Sequence, residues 1–296
     1  MRLIKPSFEI IEQQHGLEGI YKIIEQAGRT CYKSCDKITE DSAKEFVNRI
    51  IGNKHHAVLE HGTVYLDFVD NIAEARGRYT NNHYSRMYKN TLEDDRGHYH
   101  LYVTTNFRVL VENKWLDDLQ YICEPTRYHE KRYTVRFICD RGVSHEFVRH
   151  RVFSFAQEST RYCNYSKDKF GNEVTFIIPC WTNLPEQEYG DRVNPKVFNR
   201  GNTNGIETSY VDSLRQAEYN YFNLLNQGWK PQQARAVLPN ALKTELVMTG
   251  FITDWEHFFK LRSKEYGGGN PHPQADELVT PLYYYFKGKK WLGQRN

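Results

Sequence analysis

No apolar run in this 296-residue chain approaches the roughly 20 residues that a membrane-spanning helix needs. The first ten residues, MRLIKPSFEI, lack the apolar core of a secretory signal, so a cytoplasmic protein is expected. Cysteine is sparse and unpatterned: six residues, at 31, 35, 123, 139, 163 and 180, form no CxxC pair. Cys31 and Cys35 alone make a poor half of a zinc site, and reduced thiols are the expectation. Neither charge sign dominates, with 40 Lys+Arg against 37 Asp+Glu. No global field for a polyanion follows, and any phosphate site must be local. The run Gly267-Gly268-Gly269 lacks both the GxGxxG spacing and the preceding strand of a dinucleotide fingerprint. A zinc-protease reading of His145-Glu146 with His150 fails as well. The second histidine comes five residues after the first, about 140° around a helix of 3.6 residues per turn, so no metal is assigned.

What is plentiful is aromatic: 21 Tyr and 16 Phe against a mean hydropathy of −0.74, which suits clefts lined by rings with polar tips. Residues 1–12 read as one short strand. Leu17–Ala27 reads as a helix stopping at Gly28, and the spacing of Ala43, Phe46, Val47, Ile50 and Ile51 predicts a helix from Asp41 or Ser42 to about Gly52. Val64–Phe68 alternates like a strand with one buried face. Between 70 and 132 the pattern is uneven. Tyr99–Val103 and Phe107–Val111 read as a hairpin around Thr104-Thr105-Asn106, Trp115–Ile122 as a short helix, and His98 and His100 as solvent-facing. Tyr133–Cys139 is a strand by its content, and Ser144 is placed to cap a helix carrying His145 to His150. Phe170–Pro179 reads as turn and strand, followed by a polar loop through Asn204. Glu207–Gln227 is an amphipathic helix closed by Gly228, Pro231 starts the next one, and Gln274–Phe286 is the last.

The densest chemistry lies in Arg149–Ser166, RHRVFSFAQESTRYCNYS. Arginine forks and hydroxyls there suit an anionic, planar, oxygen-rich ligand, and the interleaved Phe153, Phe155 and Tyr162 imply partial burial rather than a plain basic surface. Arg149-His150-Arg151, Ser154, Ser159 and Arg161-Tyr162 resemble the RHRxxSxxxxSxRY signature of the flavin-dependent thymidylate synthases. The family's usual Asn two residues after the first Ser is Ala156 here, followed by Gln157. LEHGT at Leu59–Thr63 resembles a second family segment, and ARAVLP at Ala234–Pro239 a third. His257 and Arg262 fit a fourth, within which Phe251 and Thr253 stand where some members carry Asn and Arg. His272-Pro273-Gln274 resembles the segment that opens the last helix.

That resemblance implies an α+β fold, a central antiparallel sheet flanked by helices, and a homotetramer with active sites at subunit interfaces. The whole chain would be one domain, 1–296, with an insertion at about 70–132 relative to compact members. The implied activity is reductive methylation of dUMP to dTMP, with methylenetetrahydrofolate as carbon donor and FAD, reduced by NADPH, as hydride source. By position, Arg262 would be catalytic, polarising the uracil N3/O4 region. Glu146, Phe147, Val148 and Arg149 would hold pyrimidine and ribose, while Gln157, Glu158, Ser159, Thr160, Arg161 and Arg235 complete the dUMP site. His61, Thr63, Arg149, His150, Arg151, Gln157, Phe251, Thr253, His257 and His272 would line FAD. No membrane or nucleic-acid partner is implied. Two other readings stay open: a flavoenzyme of the same scaffold with another nucleotide substrate, and, more distantly, a nucleic-acid-binding module using Arg149, Arg151, Arg161, Lys167 and Lys169.

Overall fold

The computed structural model describes residues 1–69, 71–190 and 205–293. The polar loop expected up to Asn204 lies outside them from residue 191 on, as does the Lys169 side chain. In chain order the elements begin with β1 (Arg2–Ile4), β2 (Ser7–Ile11), α1 (Gly16–Tyr32), α2 (Ser42–Gly52), β3 (Thr63–Val69), α3 (Ile72–Tyr79), β4 (Arg86–Met87), β5 (Leu92–Glu93), β6 (Tyr99–Asn106) and α4 (Phe107–Asn113). They continue with β7 (Arg132–Asp140), α5 (Arg141–Phe147), β8 (Ser154–Gln157), β9 (Thr175–Ile177), β10 (Gln187–Glu188), α6 (Gly205–Asn226), α7 (Pro231–Ala234), β11 (Lys243–Phe251), α8 (Ile252–Arg262), α9 (Lys264–Gly267) and α10 (Pro273–Gly288). The class is α+β.

A four-stranded antiparallel sheet, ordered β2-β7-β11-β8, forms the centre. Its inner strand β11 is buried along almost its whole length. Leu246 and Met248 pack with Val135 and Phe137 of β7 against Trp255, Phe258 and Leu282 of α8 and α10. Val247 faces the other way and joins Ile24, Phe46 and Leu66 in a second core. A strand covered on both faces has no polar side to alternate with, and the sequence pattern accordingly left β11 unassigned. A second sheet, β3-β6-β4 with β5 on β6, is built largely from 70–132. Its Tyr79, Leu101, Val103, Phe107 and Leu110 share the core of α1 and α2, so this segment is packed into the body of the protein. The third sheet, β10-β1-β9, is mixed and packs on α6.

Several expectations are corrected. The strand over 1–12 is two, β1 and β2, which belong to different sheets and are separated by Lys5 and Pro6; Pro offers no N–H to a ladder. Gly28 does not stop α1. A Cβ there would lie 2.6 Å from the Phe46 ring, so glycine permits the close approach of α2, and the helix ends at Lys33 with φ 50°. Phe107–Val111 is a helix, because the Asn106 side chain accepts from Val109 N at 3.2 Å and caps it. Likewise Asp140, not Ser144, caps α5, accepting from Val143 N at 2.8 Å, and the helix ends at Phe147, before the arginine run. His100 does not face solvent freely: its Nδ1 lies 2.9 Å from Asp67. The helices over 42–52 and 207–227 stand as expected, as Ser42–Gly52 and Gly205–Asn226.

Candidate active site

Arg262 ends α8, and its guanidinium forks onto the end of α5. Nη1 pairs with the Glu146 carboxylate, Nη2 donates to the Glu146 carbonyl at 3.0 Å, and Nε donates to His150 Nε2 at 3.2 Å. Accepting that bond requires a neutral imidazole. Burial first, then the charges of Arg262 and His257, lowers the His150 pKa to about 4, so the acceptor form holds throughout the neutral range. The His150 ring packs edge-on against Phe258 at 4.9 Å and lies 6.2 Å from His257, which is exposed. Arg149 and Arg151, either side of this buried histidine, are exposed. The turn after α5 thus sorts the RHR run into one inward and two outward side chains.

The loop after β8 is fixed from below. Glu158 is buried, and its carboxylate accepts from Lys243 Nζ at 2.7 Å; the same ammonium reaches Glu245 at 2.7 Å, which Lys33 also pairs. These cations outweigh burial and hold Glu245 down to about 2. Ser159 N donates to the Cys31 carbonyl at 3.0 Å, at the end of α1. Above this base Arg235, from the turn after α7, donates to Thr160 Oγ1 at 2.9 Å. Two segments 75 residues apart are thereby joined. Arg161 is exposed and lies over the Tyr162 ring at 5.2 Å. Gln157 donates to Ser144 at 2.9 Å and to Thr244 at 3.2 Å, linking the loop to α5.

A third cluster sits at the opposite end of β11. His61 is fully buried, its Nδ1 2.8 Å from Thr249 Oγ1, its Nε2 without a partner, and burial lowers its pKa to about 3. Thr63 is bound through both backbone groups to Gln13, at 2.8 Å each, and accepts from Arg132. Phe251 is buried, Thr253 donates to Glu130, and exposed His272 meets Trp181 edge-on at 6.0 Å.

Not every expected ligand residue is free to be one. The Phe147 side chain is wholly inside the core against Phe137 and Phe258, and Val148 is half-buried on that cluster. Only their backbone could meet a nucleotide. Glu158 faces Lys243 rather than the open side, so it positions the loop. Gln274, from the His272-Pro273-Gln274 segment, donates to Asp140 at 2.9 Å. Residues that the motifs did not single out are Lys243, Lys33 and Glu245 under the loop, and Arg132 beside Thr63. None of them belongs to a recognisable spacing, and only the tertiary pairing marks them.

Residues 126–275 match the family model described as Thymidylate synthase complementing protein, just over half of the chain. The chain belongs to this family. Among curated members, it is 35% identical over 126 residues to a flavin-dependent thymidylate synthase of Corynebacterium efficiens, covering 43% of this chain and 47% of that one. A flavin-dependent thymidylate synthase of Pyrococcus furiosus is 31% identical over 124 residues, covering 42% and 43%. The chain thus spans about half the length of the curated family members it matches. The UMP/dUMP methylase PolB of Streptomyces cacaoi, solved with 5-Br dUMP, aligns over 97% of this chain and 93% of its own at 16% identity and a TM-score of 0.44.

Proposed function

We propose that the protein methylates dUMP reductively to dTMP, with Arg262 as the group that activates the pyrimidine. The observation that carries this reading is the seating of Arg262. A guanidinium held by the Glu146 carboxylate and carbonyl and by a neutral His150 has its plane fixed and N–H groups to spare. Uracil C5 is a weak nucleophile until density is pushed into the ring, and a fixed cation at N3/O4 stabilises the charge that develops there. Neutral His150 keeps a second positive charge from competing for that position.

The dUMP phosphate is assigned to Ser159, Thr160, Arg161 and Arg235, which supply hydroxyls and charge-assisted donors on a loop braced by Glu158 and Lys243. Pyrimidine and ribose fall to Glu146, Arg149 and Gln157. FAD is assigned to His61, Thr63, Arg149, His150, Arg151, Gln157, Phe251, Thr253, His257 and His272. The orphaned buried nitrogens of His61 and Arg132 fit a ligand rich in acceptors. When bound, reduced FAD would supply the hydride that completes the methyl group, with the carbon passing from methylenetetrahydrofolate to uracil C5 in exchange for the C5 proton, tetrahydrofolate leaving and NADPH as the ultimate reductant. The protein's own part is to orient, polarise and exclude water, and no side-chain nucleophile is required. Thr249 and Lys243 mark opposite ends of β11, roughly 20 Å apart at ~3.4 Å per residue. The His61 cluster and the Ser159 loop of one chain are thus too far apart to close on one small site, which suits a site shared between copies; the homotetramer is part of the same proposal. A cytoplasmic setting without membrane or nucleic-acid partner belongs to the same reading.

The test is anaerobic release of tritium from [5-³H]dUMP by flavin-loaded protein reduced with NADPH, with and without methylenetetrahydrofolate. Folate-dependent release that Arg262→Ala abolishes is the expected result. Flavin that NADPH reduces without any release of tritium would refute dUMP as substrate.

A further inference from the structure

Arg132, the first residue of β7, is a cation without an anion. Its Nη1 donates to the Glu60 carbonyl at 3.0 Å and to Thr63 Oγ1 at 3.3 Å, and Nη2 donates to Ser154 Oγ at 3.2 Å. All three acceptors are neutral. Nε is buried with no partner, and among the described residues no carboxylate lies within 4 Å of this guanidinium. Burial lowers its pKa to about 10. Folded chains pair buried charges because an uncompensated one costs several kcal/mol.

A second guanidinium converges on the same place from the 70–132 segment. Arg86 of β4 lies 4.8 Å over the Phe251 ring, and Arg132 lies 5.4 Å over that same ring. The nearby carboxylates are engaged elsewhere. Glu60 pairs with Arg108 at 2.5 Å, Glu130 accepts from Thr253 and is 3.8 Å from Arg86, and Asp254 accepts from Phe251 N. Burial raises the Asp254 pKa, which weakens it further as a counter-charge. A cavity of about 300 Å³ is lined by Arg132 together with Thr63, Tyr133 and Thr134, and the Tyr133 hydroxyl is another buried polar group without a partner.

We propose that Arg132, assisted by Arg86, binds the diphosphate of the flavin nucleotide, an inference that rests on the flavin reading above. Planar N–H forks match phosphate oxygens, and a dianionic diphosphate supplies the counter-charge that Arg132 lacks and a further one for Arg86, which otherwise has Glu130 at 3.8 Å. Phe251 offers no polar atom of its own, but its ring holds the two cations in place. The 70–132 segment then contributes directly to cofactor recognition through β4.

The test compares FAD with riboflavin, which lacks the phosphates, using quenching of flavin fluorescence by the apo chain, alongside the thermal midpoint of that chain. Arg132→Gln should weaken FAD binding about tenfold or more, the equivalent of one or two charge-assisted hydrogen bonds, and change riboflavin binding less than about twofold. The apo midpoint should hold or rise, because an uncompensated charge has been removed. Arg86→Gln should weaken FAD binding by a smaller factor and decides the matter if Arg132→Gln fails to fold. Unchanged FAD affinity in both variants, or equal weakening of FAD and riboflavin, overturns the proposal while leaving the flavin reading intact. A native chain that binds neither ligand overturns both.

Discussion

Lys243→Met removes the ammonium that two buried carboxylates share. Both contacts are 2.7 Å, and the side chains of Lys243, Glu158 and Glu245 are 11%, 2% and 7% exposed. Glu245 keeps Lys33, so the damage falls on Glu158. Breaking a buried pair by deleting one partner costs about 3–5 kcal/mol, because the other charge is left in a poorly solvating site. At roughly 2–4 °C of Tm per kcal/mol, a fall of about 6–20 °C is expected at pH 7. Adding Glu158→Gln should restore a substantial part, since the stranded charge then disappears, and the coupling between the two changes should exceed about 1 kcal/mol in a double-mutant cycle by urea denaturation. The loop carrying Ser159, Thr160 and Arg161 should loosen with it, weakening dUMP binding more than flavin binding. A loss below about 1 kcal/mol for Lys243→Met, with no coupling to Glu158, would refute the reasoning.

Acid should act on the same network. The Glu245 carboxyl is held below its ordinary value, so its stabilising contribution is present above about pH 4.5 and is lost as pH falls toward about 2; acid denaturation of the native chain followed by circular dichroism should show this loss, and Lys243→Met should show less of it. His150 is also depressed, so the unfolded chain takes up a proton below about pH 6.5 that the folded one resists until about 4. Stability should decline across that window, and His150→Gln, which keeps an acceptor for Arg262, should flatten the decline. Gly250→Ala sets a Cβ 2.6 Å from the Phe153 ring, inside the aromatic cluster of α8. Overpacking of this kind costs about 1–3 kcal/mol, measurable as a lowered urea midpoint. Trp255→Ala should cost about 3–5 kcal/mol, because this side chain is wholly buried among Phe137, Phe153 and Phe258.

The elements legible in the sequence were those with a polar face. Helix α2 shows its apolar spacing because its other side meets water, and β3 alternates for the same reason. β11 has no such side, and β8, only four residues long, is too short to show a period. Helix α4 reads as a strand by its Phe and Val content and becomes a helix through the cap that Asn106 supplies. At the site, Arg149–Arg161 stood out by the density of its arginines and hydroxyls and by its resemblance to the family signature. What could not be read was direction: that His150 turns inward and its neighbours outward, that Phe147 is core, and that Glu158 faces Lys243, 85 residues further on. Those facts belong to tertiary packing.

The pairing of β8 with β11 also bears on how the protein is made. Ser154–Gln157 lies beside Leu246–Thr249, and the loop that follows is braced by Lys243 and Glu245. During synthesis the RHR segment therefore leaves the ribosome some ninety residues ahead of the strand that fixes it. The β3-β6 sheet can pair by then, since all its strands precede residue 107, whereas the nucleotide loop must wait until β11 has emerged. Domains dominated by such distant pairings fold slowly, and here the loop assigned to the substrate is one of the regions that must wait for them.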